Sequence, residues 1–250
     1  QSLKGFEDVW FKEEKGTNNP FTKMIVRVRD EIVSMKKNIS MNRKGKYISP
    51  EEFLEVYNKD EEVIILDTRN YYEFSLGRFK NAINPQLKTF REFSQFVERF
   101  KKRTDTNKKI VMYCTGGIRC EKASAYMKEQ GFENVFQLDG GIINFCQQFP
   151  NTVWEGKCFV FDKRLMSDLN QNNKPITHCE SCGFLCDLYK NCKNLECDKL
   201  VILCTSCEEK LQGCCSIECL KKFQEFAKER ARLKKEGKWK AKEVLQNYAK

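Results

Sequence analysis

Histidine is nearly absent. His178 is the single copy in 250 residues. A cysteine nucleophile activated by an imidazole base needs a histidine of its own. His178 directly precedes a cysteine cluster that is expected to occupy it. The same count excludes the iron site of two histidines and one carboxylate that many oxygenases use. No Gly-x-Gly-x-x-Gly follows a strand-like run, so no flavin or nicotinamide site is expected. No apolar run approaches the roughly 18 residues of a membrane-spanning helix, so no membrane partner is expected. Gln1 to Trp10 show no basic-then-apolar pattern, and a secretory signal is not expected either. The chain starts on Gln1 rather than Met and is expected to begin inside a longer protein.

Cysteine, by contrast, is abundant. Ten of the 14 cysteines fall between positions 179 and 219. They are spaced Cys179-x2-Cys182, Cys192-x4-Cys197, Cys204-x2-Cys207 and Cys215-x3-Cys219, with Cys186 and Cys214 left over. Without a secretory signal this is metal-ligand spacing rather than a disulfide framework. Thiolate ligands need a reducing compartment, so a cytoplasmic location is expected. Four pairs suit two tetrahedral zinc ions, structural because the ligand sets are closed. So short and polar a segment needs them to fold. Neighbouring pairs could share an ion, or the pairs could interleave. The expected grouping is Cys179, Cys182, Cys204 and Cys207 at one ion, and Cys192, Cys197, Cys215 and Cys219 at the other. His178 could replace one cysteine, and an iron–sulfur cluster is a weaker fit.

Positive charge is concentrated at one end. The net charge is +10, and residues 221–250 hold eleven Lys or Arg against four Glu, a surplus of seven. Phe223, Phe226, Trp239 and Tyr248 are interleaved there. This tail reads equally as a solvated, partly helical segment and as a footprint for an anionic polymer, RNA being the best match.

Residues 1–20 are charged and broken by Gly16, Asn18, Asn19 and Pro20. Met24, Val26 and Val28 then alternate with Lys23, Arg27 and Arg29, which predicts a strand within residues 21–33. From residue 46 the pattern is α/β. Ser49-Pro50-Glu51-Glu52 is a capping box with proline at the first helical position, and this helix brings Phe53, Leu54 and Tyr57 to the core. Val63-Ile64-Ile65-Leu66, Ile110-Val111-Met112-Tyr113 and Val135-Phe136-Gln137-Leu138 read as buried strands. Helices are expected around residues 90–100, over 119–130 with Gly131 as the stop, and after Gly140-Gly141. Alternating strands and helices imply a mainly parallel sheet covered on both faces.

Cys114 lies where the strand at 110–113 gives way to the helix at 119–130. Open parallel sheets place their sites at these carboxyl ends. In Cys114-Thr115-Gly116-Gly117-Ile118-Arg119 the glycines let the backbone wrap closely, and amides at the helix start stabilise an anion. The thiol is expected to be acidic and nucleophilic, with Arg119 adding charge and a planar fork for an anionic ligand. Cys120 reads either as a resolving thiol for an oxidised Cys114 or, more plainly, as a small buried residue on the first helical turn. Asp67, Arg69 and Glu73 could touch substrate or brace the loop.

These residues resemble a known family. Ile65-Leu-Asp67-Thr-Arg69, Glu73, Gly77-Arg78 and Asn81-Ala-Ile-Asn84 look like the first rhodanese signature, with Arg78 where many rhodaneses carry histidine. The Cys114–Arg119 loop looks like the rhodanese active-site loop, and Val135 to Gly141 like its closing turn. Phosphatases of the related fold carry Cys-x5-Arg; the Cys-x4-Arg found here suits sulfur. Beyond this, the run from Met112 to Ala125, Gly140-Gly-Ile-Ile143, Phe159-Val-Phe-Asp-Lys-Arg164, Asn191-Cys-Lys-Asn194 and Gly213-Cys-Cys-Ser216 resemble the tRNA wobble-uridine hydroxylases.

That resemblance implies a tRNA-modifying oxidoreductase that makes 5-hydroxyuridine in the anticodon with dioxygen as co-substrate and a required rhodanese cysteine. It implies a remnant of a ferredoxin-like α+β domain and linker at 1–45, a rhodanese-like catalytic domain at 46–150, a connector at 151–177, a cysteine-rich zinc-binding module at 178–220 and a basic tail at 221–250. The mechanism expected is attack of Cys114 on C6 of a flipped-out uridine, which makes C5 electron-rich. Two alternatives stand: a sulfurtransferase carrying sulfane sulfur as a Cys114 persulfide, and a non-catalytic, zinc-stabilised RNA-binding or scaffold protein.

Overall fold

The computed structural model describes residues 25–59, 62–169 and 174–239, with 4, 7, 21 and 23. In chain order the elements are β1 (Lys46–Ile48), α1 (Pro50–Asn58), β2 (Val63–Asp67), α2 (Tyr71–Leu76), β3 (Gly77–Phe79), α3 (Phe93–Lys101), β4 (Lys109–Tyr113), α4 (Ile118–Glu129), β5 (Val135–Leu138) and α5 (Gly141–Gln148). After these come β6 (Trp154–Gly156), β7 (Cys158–Phe159), β8 (Met166–Ser167), β9 (Tyr189–Asn191), β10 (Leu200–Ile202), α6 (Thr205–Lys210) and α7 (Ile217–Lys235).

The central sheet is parallel, in the order β1-β5-β4-β2. Alternate residues of its inner strands feed two cores. Ile110, Met112 and Cys114 point to the face covered by α3 and α4. Val111 and Tyr113 point to the face covered by α1 and α5. Such two-sided burial explains the wholly apolar runs. The capping box at Ser49 and Glu52 forms as the sequence predicts. On α1 the buried residues are Pro50, Phe53 and Val56, while Leu54 and Tyr57 are partly buried against the same core.

A third core joins the cysteine-rich segment to this sheet. Leu76 and Phe159 pack with Tyr189, Val201, Ile202 and Leu203. The Tyr189 hydroxyl donates to the Tyr72 carbonyl at 2.8 Å, and Phe159 meets the Tyr72 ring edge-on. The segment therefore docks on α2.

One expectation is corrected here, and one strand appears that the sequence does not signal. No described residue from 25 to 33 forms a strand; Val26, Val28 and Ile32 are exposed, and no neighbouring strand is present among the described residues to complete a ladder. Met24 lies outside the described residues, as do most of residues 1–20 and Tyr248. Conversely, β1 forms although its sequence signals no strand: only Ile48 is buried, and pairing with β5 holds it.

Candidate functional site

Cys114 directly follows β4 and is 2% exposed. Gly117 takes a left-handed conformation (φ 93°), which turns the chain sharply into α4. Its amide donates to the Cys114 sulfur at 3.1 Å. The amides of Arg119 and Cys120 also point at that sulfur. On the far side, the Ile142 and Ile143 amides donate to the carbonyls of Cys114 and Thr115 at 3.0 and 3.2 Å. The start of α5 thereby clamps the loop. A Cβ on Gly141 would come within 2.4 Å of the Cys114 carbonyl oxygen, so only glycine fits there.

Electrostatics follow from this cradle. A hydrogen bond from the Cys120 thiol lowers the Cys114 pKa most; burial opposes it, and the Arg119 charge and the helix-start amides add to the lowering. The thiol is brought down to about 5, so at neutral pH it is a thiolate. Cys120 is fully buried. Burial first, then its bond to Cys114, pushes its own pKa well above the ordinary thiol range. Cys120 is a buried residue on the first turn of α4, as the plainer reading has it, and its thiol acts on the acidity of Cys114.

Arg119 is not open to a ligand as the sequence suggests. Its Nη1 and Nη2 donate to Glu73 at 2.6 and 2.7 Å, with a long third bond to the Thr115 hydroxyl at 3.4 Å. Glu73 is fully buried on α2 and needs that counter-charge. Burial works against the Arg119 charge, and the Glu73 bonds outweigh it, raising its pKa.

Asp67 and Arg69 are wholly buried and face each other. Arg69 donates to Asp67 at 2.7–3.1 Å through its amide, Nε and Nη2, and Nη2 also reaches the Gly77 carbonyl at 2.6 Å. The Arg69 guanidinium lies over the Trp154 and Tyr113 rings. These two side chains brace the ends of β2 and β4 rather than face solvent.

The cysteine-rich segment gathers two sets of four thiols. Cys179, Cys182, Cys204 and Cys207 form one, and Cys192, Cys197, Cys215 and Cys219 the other. Within each set all sulfurs lie within 4.8 Å of one another. Neighbouring pairs stand 3.5–3.7 Å apart. A tetrahedral four-thiolate ion with bonds near 2.3 Å has edges of about 3.8 Å, so each set fits a metal ion. The pairs interleave in the expected grouping. His178 belongs to neither set; it bridges to Leu185 instead. Cys186 and Cys214 are buried outside both sets.

The rhodanese-like domain model matches residues 49–148 and the rhodanase C-terminal model residues 155–220. The tRNA uridine(34) hydroxylase of Chlamydia caviae is 42% identical over 219 residues, covering 86% of this chain and 66% of the relative. That of Protochlamydia amoebophila is 40% identical over 216 residues, covering 86% and 68%. This chain belongs to the tRNA uridine(34) hydroxylase family. It spans about two thirds of the length of those relatives. The solved rhodanese-like domain of an Anabaena protein is 18% identical, covers 51% of this chain and 89% of its own, and superposes with a TM-score of 0.38.

Two residues at the site of this tRNA uridine(34) hydroxylase family member escape sequence reasoning. Thr68 donates its hydroxyl to the Tyr113 carbonyl at 3.0 Å and lies 3.5 Å from the Cys120 sulfur; its place between Asp67 and Arg69 is the available signal. Phe161 is exposed, with the Arg119 guanidinium 5.6 Å from its ring centre. It lies within the Phe159–Arg164 motif, yet nothing local tells a stacking ring from a core ring. Ile118, which the sequence places within the loop, is half exposed. Beside it opens a cleft of about 360 Å³ lined by Glu31, Val33, Met41, Ile118, Glu121 and Lys122. No helix among the described residues is long and apolar enough to cross a membrane.

Proposed function

We propose that this protein hydroxylates the wobble uridine of cytoplasmic tRNA at C5, with Cys114 as nucleophile and dioxygen as co-substrate. The observation that supports this most is the Cys114 thiolate, held without imidazole by amides, the Cys120 thiol and Arg119, in a chain whose relatives bear the name tRNA uridine(34) hydroxylase. In this reading the thiolate bonds to C6 of a uridine turned out of its stack. The electron pair of the C5–C6 double bond moves to C5, conjugated with the adjacent carbonyl, and C5 bonds oxygen. Phe161 offers the exposed face on which the base stacks. Arg119, held by Glu73, keeps positive charge beside the sulfur. Thr115, Gly116, Gly117 and Ile118 shape the loop, and Asp67 and Arg69 position it.

The catalytic unit is residues 46–150, and zinc is the ion assigned to both thiol sets of the module at 178–220. Four-cysteine sets with no open position suit structural zinc. The ions would hold the docking surface for α2 and the start of α7. The basic helix α7, with no buried residue, supplies charge for tRNA phosphates.

Incubation with tRNA bearing 5-fluorouridine at the wobble position, without oxygen, tests the chemistry. Fluorine blocks the loss of a proton from C5, so a covalent Cys114–tRNA adduct is expected. Its absence, together with unchanged 5-hydroxyuridine in cells lacking the gene, removes this reading and leaves sulfur transfer through a Cys114 persulfide.

A further inference from the structure

Placing one atom of dioxygen in a C–H bond leaves the other to become water. That takes two electrons and two protons from a donor. Two thiols that close to a disulfide release that number.

Cys114 has one thiol neighbour suited to this. Cys120 is the third residue of α4, and its amide donates to the Gly117 carbonyl at 3.1 Å, which fixes the first turn. Cys114 and Cys120 are buried together in the core over α4, and each sulfur shifts the acidity of the other. Beside the Cys120 sulfur stands the Thr68 hydroxyl, whose proton goes to the Tyr113 carbonyl. Cys146 and Cys158 are buried too, but they pack on the opposite face of the sheet with Val111 and Tyr113. The metal-binding sets account for eight of the remaining cysteines.

We propose that Cys114 and Cys120 form a dithiol that supplies both electrons of the oxygenation, and that each turnover ends with a Cys114–Cys120 disulfide. The proposal rests on the hydroxylase reading. Cys114 thiolate bonds to C6, and C5 bonds dioxygen and gains a proton, giving a C5 hydroperoxide. The Cys120 sulfur takes the outer oxygen as the O–O bond breaks; C5 keeps a hydroxyl, and Cys120 becomes a sulfenic acid. Loss of the C5 proton restores the double bond and expels Cys114 as thiolate. That thiolate attacks the Cys120 sulfur, forms the disulfide and releases hydroxide, which takes a proton to become water. In sum, uridine, dioxygen and two thiols give 5-hydroxyuridine, one disulfide and water. An external dithiol restores the pair by exchange.

The test is a turnover experiment with protein reduced and then freed of reductant, mixed with excess unmodified tRNA in air. The expected result is a burst of one 5-hydroxyuridine per protein, a protein mass lower by two hydrogens, a Cys114–Cys120 cross-link in the peptide map, and renewed turnover when dithiothreitol is added. In Cys120→Ser the reductant-free burst is expected to fall by about tenfold or more, with partial recovery in dithiothreitol. Cys114 alkylation in that variant shows that the loop is intact, and the wild-type cross-link needs no variant at all. Many turnovers without reductant or disulfide overturn the dithiol and leave hydroxylation standing. A full burst from Cys120→Ser does the same. No product from wild-type protein even with dithiothreitol overturns both.

Discussion

The Cys114 sulfur collects three backbone amides, a neighbouring thiol and a guanidinium on one buried atom. Each favours the anion, and together they outweigh burial. Alkylation by iodoacetamide, followed by mass spectrometry of the 114-containing peptide, is expected to show a rate that rises through about pH 5 and is flat by neutral pH. An ordinary thiol would still be rising near pH 9. In Cys120→Ala the midpoint moves upward, because the largest stabilising contact is gone. The same shift links to folding. The folded protein keeps this thiolate to lower pH than the unfolded chain, so its stabilising effect is complete above the unfolded thiol's pKa and fades as the pH falls through about 5. At this scale the sequence is most legible where covalent spacing decides the outcome. Cys114, Gly117 and Arg119 are local to one loop, and their roles follow from the loop's shape. The partner of Arg119 is not local: Glu73 arrives from α2, 46 positions away. Spacing alone therefore reads the guanidinium as open when it is filled.

Elements set how much substitution the loop tolerates. Gly141 starts α5 at φ 66°, and an added Cβ would press on backbone atoms of Cys114, Thr115 and Gly117. Those atoms cannot move without moving the Cys114 sulfur. Gly141→Ala is expected to destabilise by about 2–4 kcal/mol in chemical denaturation, from left-handed strain plus overpacking, and to abolish the acidic Cys114 signature. Gly117→Ala meets nothing closer than 3.7 Å, so strain alone remains, at about 1 kcal/mol. On α7, Lys221, Lys228 and Lys235 recur every seven residues and form one exposed stripe. Changing all three to Gln is expected to raise KM for tRNA with little change in kcat, and to flatten the slope of log KM against log salt by about 0.7–0.9 per lost phosphate contact. An unchanged slope would place the RNA elsewhere. Strand reading succeeds for β2, β4 and β5, where burial on both faces writes continuous apolar runs. It fails for β1, an edge strand with one buried residue. It fails in the other direction at residues 25–33, where alternation is present but no ladder partner stands beside it among the described residues.

At the scale of the molecule, the two thiol sets reach different parts of the machinery. The set of Cys179, Cys182, Cys204 and Cys207 adjoins the core that includes Leu76 and Phe159, next to the helix that carries Glu73. The set of Cys192, Cys197, Cys215 and Cys219 supplies the start of α7: Cys219 lies in its first turn, and its amide donates to the Ser216 cap. Loss of either ion should therefore be felt differently. Cys182→Ser is expected to drop the metal content from two ions to one and to lower kcat by about tenfold, because α2 loses the surface that seats Glu73 against Arg119. Cys197→Ser is expected to lose one ion as well, but to act mainly on KM for tRNA, because α7 loses its anchor while the Cys114 loop keeps its support. Elemental analysis of purified variants gives the metal count, and steady-state kinetics gives the split. The Cys114 alkylation profile provides a readout independent of tRNA: it should shift in Cys182→Ser and stay put in Cys197→Ser. Equal effects of the two variants on kcat would mean that the segment folds as one unit around both ions, and that its contact with α2 cannot be separated from its hold on α7.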